Sequence, residues 1–190
     1  VGECISENKQ AELIDLVAGL SKTSDVMVVS GSLPQGVDSD YYSKLFGVAS
    51  PQTLKIADTE GAKLLAALKM GLDLVKPNKD ELQNTLQQEF KSREDLLKGC
   101  YSLLDKGAKR VLLSLGKRGA IITDGTKNYY CKSINVAINS TLGAGDGMLA
   151  AAAMRLEQGA PLDEILRAGV AAGTATVTTF GQISFTKDKF

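Results

Sequence analysis

A glycine-rich turn in the C-terminal third of the chain has the composition of a phosphate-binding turn and is followed directly by a carboxylate. The run Leu142-Gly143-Ala144-Gly145-Asp146 leads directly into an alanine-rich stretch with helical character. Glycines let a backbone approach a ligand closely, and the N–H groups in a helix's first turn bind phosphate oxygens. A phosphate would repel the carboxylate beside it, so we expect Asp146 to act on a proton. The simpler alternative is a tight turn with an acidic residue at a helix start.

A second candidate site pairs an amide with a carboxylate. Asn78 and Glu81 are three residues apart at a predicted helix start, so both side chains can project from one face. Their oxygens suit Mg²⁺, which keeps several waters and takes one or two carboxylates plus substrate phosphates. The same spacing also fits a capping box, with Asn78 as N-cap and Glu81 at N3. The two roles are compatible, and the residues alone do not choose between them.

Buried strands and helices alternate along the chain, which predicts an α/β fold with a mostly parallel sheet covered on both faces. Residues 120–131 are expected to form an antiparallel hairpin at the sheet edge, with Asp124-Gly125 in a type I′ turn. The strand candidates are residues 25–30, 53–57, 72–76, 110–114, 120–123 and 128–131. The helix candidates are residues 9–20, 39–46, 61–68, 79–87, 93–106, 145–157 and 162–178.

Four loops are expected on one rim of this sheet, because ligands in such folds bind beyond the carboxyl ends of the strands. These loops are residues 31–36, 76–81, 114–119 and 143–146. Two common phosphate motifs do not account for them. The Walker pattern is absent from the sequence, and the dinucleotide fingerprint fails because Asp146 stands where a pyrophosphate would lie.

Composition narrows the chemistry and the partners. The 22 basic and 22 acidic residues cancel without a run of one sign, which argues against nucleic-acid and membrane partners and favours a small molecule. The chain has no histidine, which excludes Ser-His and Cys-His mechanisms and most zinc sites. Three well-separated cysteines, Cys4, Cys100 and Cys131, are typical of reduced thiols in a cytoplasmic protein.

The length suits one domain that is part of a longer protein. The 190 residues are 44% hydrophobic, which is enough for a substantial core. No stretch reaches the length of a membrane-spanning helix. The chain starts at Val1 and enters helix-like sequence almost at once, which predicts a fragment of a longer protein. Removal of an N-terminal portion would leave strands and apolar faces uncovered, so we expect the fragment to be marginally stable by itself.

Residues 140–146 resemble the second signature of the PfkB, or ribokinase-like, family of carbohydrate kinases. Blocks at residues 31–36, 57–61, 76–82 and 114–119 are similar to the family's other blocks, in the same order and spacing. The likeness is greatest to the 1-phosphofructokinase and tagatose-6-phosphate kinase branch. It implies a three-layer α/β/α ribokinase-like sandwich in which residues 1–190 form the C-terminal nucleotide-binding and catalytic part, without the N-terminal strands and lid.

The resemblance also implies a reaction. ATP would be the co-substrate, Mg²⁺ the cofactor, and the acceptor a hydroxyl of fructose 1-phosphate or tagatose 6-phosphate. It gives Asp146 the role of general base that contacts the substrate, and Asn78 and Glu81 that of metal-site residues. The oxygens of the transferred phosphoryl group would accept hydrogen bonds from the backbone N–H groups of Leu142, Gly143, Ala144 and Gly145.

Further residues receive roles from the same resemblance. Ser32 would help to close the sugar side, whereas Lys117 and Arg118 are more simply surface cations of a solvated turn. A homodimer of the full-length protein is also implied. The nucleotide loop would consist of Ser114, Leu115, Gly116, Lys117, Arg118 and Gly119.

Two departures leave alternatives open. Ser140 stands where many members of the family have an acid associated with a monovalent cation, so potassium activation is not implied. The missing N-terminal segment carries much of the family's sugar recognition, so the isolated fragment is expected to bind nucleotide without phosphorylating a sugar. Another superfamily kinase, acting on a nucleoside or a vitamin, and a nucleotide-binding module without phosphoryl transfer are the alternative functions.

Overall fold

The computed structural model of the protein describes residues 4–179. The chain divides into two compact units, Val1–Val111 and Leu112–Phe190. Within residues 4–179, no helix is long and apolar enough to cross a membrane.

The first unit is built from parallel strands with helices between them. Strands β1 and β2 pair in parallel from Val26↔Leu54 to Ser30↔Asp58, and β2 pairs in parallel with β3. Val75 of β3 pairs with Val111, the first residue of β4. The elements are α1 (Glu7–Leu20), β1 (Val26–Ser30), α2 (Tyr41–Gly47), β2 (Leu54–Asp58), α3 (Gly61–Leu68), β3 (Leu74–Val75), α4 (Lys79–Leu86), α5 (Arg93–Asp105) and β4 (Val111–Ser114).

The second unit contains the rest of β4, a hairpin and two helices that pack against each other. Strands β5 and β6 pair antiparallel from Ala120↔Cys131 to Thr123↔Asn128. The strand order follows the chain, β1-β2-β3-β4-β5-β6, so the sheet is mixed and mostly parallel. The elements of this unit are β5 (Ala120–Thr123), β6 (Asn128–Cys131), α6 (Ala144–Glu157) and α7 (Leu162–Val177).

The predicted α/β class is confirmed, and each predicted helix and strand is present. Strand β3 is shorter than the expected residues 72–76 because Asp73 interrupts it. The carboxylate of Asp73 accepts hydrogen bonds from Lys55 N at 2.9 Å and from Lys109 Nζ at 2.8 Å. Leu72 keeps only an isolated parallel bridge to Ala108. The N–H group of Lys55 is thus bonded to a side chain instead of to a strand carbonyl, and β3 begins only at Leu74.

The hairpin is present, but its predicted type I′ turn is wrong. That turn needs a positive φ at both central residues. Gly125 has a φ of 89°, whereas neither Asp124 nor Thr126 has a positive φ. Instead the carboxylate of Asp124 accepts hydrogen bonds from the backbone N–H groups of Thr126 and Lys127 at 2.9 and 2.7 Å. This side-chain bonding sets the turn, as is typical of Asp in loops.

Each unit has its own buried apolar side chains. Strand β4 is buried along Val111, Leu112 and Leu113, as expected for a strand covered on both faces. Helix α1 differs, because Leu13, Leu16 and Leu20 are 42%, 56% and 57% exposed. Exposed apolar surface of this kind is consistent with a marginally stable fragment, and the marginal stability stays a prediction.

Candidate active site

In the first unit, a capping box holds Asn78 and Glu81 together where the segment after β3 enters α4. Asn78 is extended (φ −88°, ψ 177°), and its side-chain oxygen accepts a hydrogen bond from Glu81 N at 2.9 Å. Glu81 Oε2 accepts one from Asn78 N at 2.7 Å. Two of the N–H groups at the helix start are thereby satisfied. The capping interpretation is confirmed, and it fixes the two predicted metal-site residues side by side.

Glu81 lies in an environment of mixed charge. The side chain is half-buried, and this burial is the main reason that its pKa is raised. The Asn78 N–H and the Lys76 ammonium lower the pKa, whereas Asp58 and Glu60 raise it. A bound cation would favour the ionised carboxylate and so offset the effect of burial.

A buried ion pair lies on the same connection and was not predicted from the sequence. Lys76 Nζ lies 3.0 Å from Asp58 Oδ2, and the two side chains are only 5% and 12% exposed. Asp58 ends β2 and Lys76 directly follows β3, the neighbouring parallel strand. The sequence signal was a lysine at the end of an apolar strand, where a buried cation needs a partner.

The loop that carries Ser32 begins beside the end of β2. Gly31, with a φ of 93°, donates its N–H to Asp58 O at 3.0 Å. Its carbonyl oxygen accepts hydrogen bonds from the hydroxyls of Thr59 and Tyr42 at 2.9 and 3.3 Å. Ser32 itself is exposed. The loop therefore starts from a fixed point, and the role of Ser32 stays a prediction.

In the second unit, the predicted nucleotide loop forms a compact turn between β4 and β5. Residues Gly116–Arg118 form a short 3₁₀ helix, and Leu115 N donates to Gly119 O at 2.8 Å. Tyr130 Oη, from β6, donates to Arg118 O at 2.6 Å. The Lys117 and Arg118 side chains are exposed, as expected for cations on a solvated turn.

We predict that Gly119→Ala disrupts this loop much more than Gly116→Ala. Both glycines have a positive φ, 95° and 55°, so alanine is strained at either position, by about 1 kcal/mol at least. A Cβ at Gly119 would also lie 1.9 Å from Cys131 O, whereas a Cβ at Gly116 would meet nothing within 4 Å. Backbone at that distance must move. Urea unfolding should show a several-fold larger loss of stability for Gly119→Ala, and equal losses would contradict the geometry.

The turn at residues 143–146 presents unpaired backbone donors. Gly143, with a φ of 78°, is the N-cap of α6 and offers no side-chain cap. Leu142 N donates to Ser140 Oγ at 3.2 Å and Ala144 N to Thr141 O at 3.4 Å. Among residues 4–179, the N–H groups of Gly143, Gly145 and Asp146 have no acceptor. Of the four predicted donors, Gly143 and Gly145 are therefore available to an anion, whereas Leu142 and Ala144 are engaged.

The carboxylate of Asp146 extends from the first turn of α6. The residue is exposed, and its carboxylate has no hydrogen bond or ion pair with the part of the chain that the structure describes. An accessible carboxylate beside unpaired N–H groups matches a base that works next to a bound phosphate.

The structure thus brings the predicted residues together within each unit. Asn78 and Glu81 form one cluster with Lys76 in the first unit, and residues 143–146 form a turn with unpaired N–H groups in the second. The predicted common rim of four loops stays a prediction. Within residues 4–179 there is no group of three or more His, Cys, Asp or Glu side chains that would hold a metal ion by themselves.

Comparison with known proteins gives a consistent result. The family model described as "pfkB family carbohydrate kinase" matches residues 3–189. The chain is 36% identical over 183 residues to ATP-dependent 6-phosphofructokinase isozyme 2 of Escherichia coli, covering 95% of this chain and 59% of that protein. It is 34% identical to 1-phosphofructokinase of Borreliella burgdorferi, over 90% of this chain and 56% of that protein. The chain therefore spans somewhat more than half the length of these relatives.

Solved structures show the same likeness. The crystal structure of phosphofructokinase-2 from Escherichia coli in complex with potassium matches with a TM-score of 0.90 at 35% identity, over 98% of this chain and 61% of that one. Ribokinase of Arabidopsis thaliana, complexed with ribose and ATP, matches with a TM-score of 0.73 at 22% identity, over 95% of this chain and 55% of that one. The predicted ribokinase-like α/β fold is confirmed.

Proposed function

Because this chain belongs to the pfkB family of carbohydrate kinases, we propose that the full-length protein transfers the γ-phosphoryl group of ATP to a hydroxyl of a ketohexose phosphate. The observation that carries the proposal is the exposed Asp146 carboxylate beside the unpaired N–H groups of Gly143 and Gly145. An anion-binding turn alone would not need that carboxylate, and a phosphoryl transfer to a hydroxyl does.

The proposed step assigns separate tasks to the carboxylate and the turn. The sugar hydroxyl oxygen forms a bond to the γ-phosphorus of ATP, the bond from that phosphorus to the bridging oxygen breaks, and ADP leaves. Asp146 accepts the hydroxyl proton, a task that contributes about 10²–10⁴-fold to the rate. The N–H groups of Gly143 and Gly145 stabilise the charge that develops on the transferred phosphoryl oxygens.

The loop at residues 114–119 is proposed to bind the nucleotide. Gly116 is exposed and leaves its backbone open to a ligand, whereas Gly119 is buried and lets the loop pack against Cys131. The bonds from Leu115 N and Tyr130 Oη hold the shape of the loop before ATP binds. A preformed loop spends less free energy on ordering when the ligand arrives.

Glu81 is suited to a magnesium ion that arrives with the nucleotide. Its Oε2 is engaged by Asn78 N, and no hydrogen bond within residues 4–179 engages Oε1. Asn78 Oδ1 accepts from Glu81 N and keeps a second lone pair. Mg²⁺ would supply charge neutralisation on the phosphate oxygens. Glu81 and Asn78 would hold it, partly through water.

We predict that Glu81→Gln raises the Mg²⁺ concentration needed for half-maximal activity of the full-length protein by about tenfold or more. The amide keeps an oxygen that can accept from Asn78 N but removes the charge. Asp95→Asn is the matched control, because Ser92 and Asp95 form the same kind of capping box at the start of α5. An equal shift in both variants would show that the cap, and not a metal, is responsible.

The identity of the acceptor is proposed from the resemblance. Fructose 1-phosphate and tagatose 6-phosphate are the expected acceptors, and the name of the Escherichia coli relative adds fructose 6-phosphate. Assays of the full-length protein with these three ketohexose phosphates, a set of nucleosides and a set of phosphorylatable vitamins would decide. Phosphorylation of a nucleoside or vitamin alone would favour another superfamily kinase.

A nucleotide-binding module without transfer is tested separately. Calorimetry with MgATP on this chain measures binding, and the assay of the full-length protein measures transfer. MgATP binding without phosphoryl transfer in the full-length protein would show that it is a nucleotide-binding module and not a kinase.

A further inference from the structure

Gly147, the residue after the proposed base, lies against the C-terminal end of α7. A Cβ at Gly147 would lie 2.5 Å from Thr176 Oγ1, a distance that real Cβ atoms essentially never show. Thr176 is 7% exposed, and its hydroxyl donates to Ala172 O at 2.9 Å. That bond fixes the side chain, and threonine has few rotamers to choose from. The first turn of α6 therefore approaches α7 so closely that position 147 has no room for a side chain.

The same end of α7 also holds the segment that leads into the turn. Asn139 N donates to Val177 O at 2.8 Å, and Ser140 N donates to the same oxygen at 3.3 Å. The Asn139 side chain donates to Thr178 O at 2.8 Å. Residues 139–147 are thus attached to α7 at both ends, by hydrogen bonds at the start and by close packing at Gly147.

We propose that Gly147 and Thr176 form a positioning pair for the catalytic turn. This inference rests on the proposed function, because it concerns the same base and the same N–H groups. The close contact sets how near the first turn of α6 lies to α7, and this separation sets where the Asp146 carboxylate and the Gly145 N–H point. Neither Gly147 nor Thr176 touches the reacting atoms.

The size of the expected effect follows from the geometry. A methyl group at position 147 forces α6 and α7 apart by an appreciable part of an ångström, because Thr176 Oγ1 cannot rotate away without losing its bond to Ala172 O. Asp146 is the adjacent residue, so the shift reaches its carboxylate directly. A misplacement of about 1 Å costs about 10²-fold in rate when reacting groups must be aligned.

The kinetic test uses the full-length protein and four variants. Gly147→Ala should lower kcat by about 10- to 100-fold with little change in the KM for ATP. Adding Thr176→Ala removes the clashing atoms and should restore most of kcat, whereas adding Thr176→Ser keeps the hydroxyl and should not. Gly19→Ala, in a helix where a Cβ meets nothing within 4 Å, is the control and should leave kcat unchanged.

Two readouts separate positioning from a general loss of stability. Thermal unfolding reports whether each variant is folded, and the NMR amide shifts of Gly145 and Asp146 report where the turn lies, with or without catalysis. These shifts should change in Gly147→Ala and return in Gly147→Ala/Thr176→Ala. If Gly147→Ala does not fold, Thr176→Ala should still move the two amide shifts, whereas Thr176→Ser should not.

Three results would contradict a positioning role of Gly147 and Thr176. They are a Gly147→Ala protein with kcat within twofold of the wild type, unchanged amide shifts, or a loss of kcat that Thr176→Ala does not relieve. If the wild-type protein phosphorylates no acceptor, the proposed function fails. The amide shifts still decide the positioning claim in that case.

Discussion

Asp146→Ala in the full-length protein is expected to lower kcat by about 10²–10⁴-fold while the affinity for MgATP changes little. The carboxylate is exposed and has no partner within the described residues, so removing it leaves no buried group unsatisfied and no fold contact broken. The adjacent N–H groups of Gly143 and Gly145 remain in place to bind phosphate. The decrease in kcat therefore reflects the missing proton transfer. Steady-state kinetics would measure kcat, and calorimetry would measure MgATP binding separately.

A matched control distinguishes a base from an ordinary acidic residue at a helix start. Asp163 lies in the first turn of α7 and forms an ion pair with Arg167. Asp163→Ala makes the same substitution in the first turn of another helix, and we expect kcat to stay within about twofold of the wild type. Turnover of Asp146→Ala close to that of the wild type would contradict the assignment of the base.

Lys76→Met is expected to destabilise the first unit by about 3–5 kcal/mol. The variant removes the ammonium that lies 3.0 Å from Asp58 Oδ2, and the Asp58 carboxylate is then left nearly buried without that counter-charge. Loss of a buried partner costs far more than loss of a surface ion pair, because the remaining charge stays desolvated. Urea unfolding monitored by circular dichroism would measure the change.

Two comparisons make this prediction specific. Lys44→Met removes a lysine that is 51% exposed and pairs with Asp40, which is itself 54% exposed, so we expect a loss of only about 1 kcal/mol or less. Lys76→Met/Asp58→Asn removes both charges and should recover a large part of the stability lost in Lys76→Met. If Lys76→Met loses as little stability as Lys44→Met, the buried pair contributes little.

The sequence was sufficient for the elements and their order. Alternation of apolar strands with helices is a local pattern, and it predicted each described α-helix and β-strand with shifts of a few residues at their ends. The capping box at Asn78 and Glu81 was readable for the same reason, because both partners lie within one helical turn. Local patterns of this kind do not depend on how distant parts of the chain meet.

The contacts that the sequence missed join residues distant in the chain. Lys76 meets Asp58 only because β2 and β3 are neighbours in a particular register, and register cannot be read from either strand alone. Gly147 reads as an ordinary glycine in an alanine-rich helix until α7 places Thr176 against it. The type I′ turn failed for a local reason, since the Asp124 side chain bonds the turn backbone itself.

Phosphorus NMR of the full-length protein with MgATP and each ketohexose phosphate would follow the proposed phosphoryl transfer itself. We predict one equivalent of ADP for each equivalent of ketohexose bisphosphate formed, with at least one acceptor, and no such product from Asp146→Ala on the same timescale. Formation of ADP and inorganic phosphate without a bisphosphate, or no reaction with any ketohexose phosphate, would show that the protein is not a ketohexose-phosphate kinase.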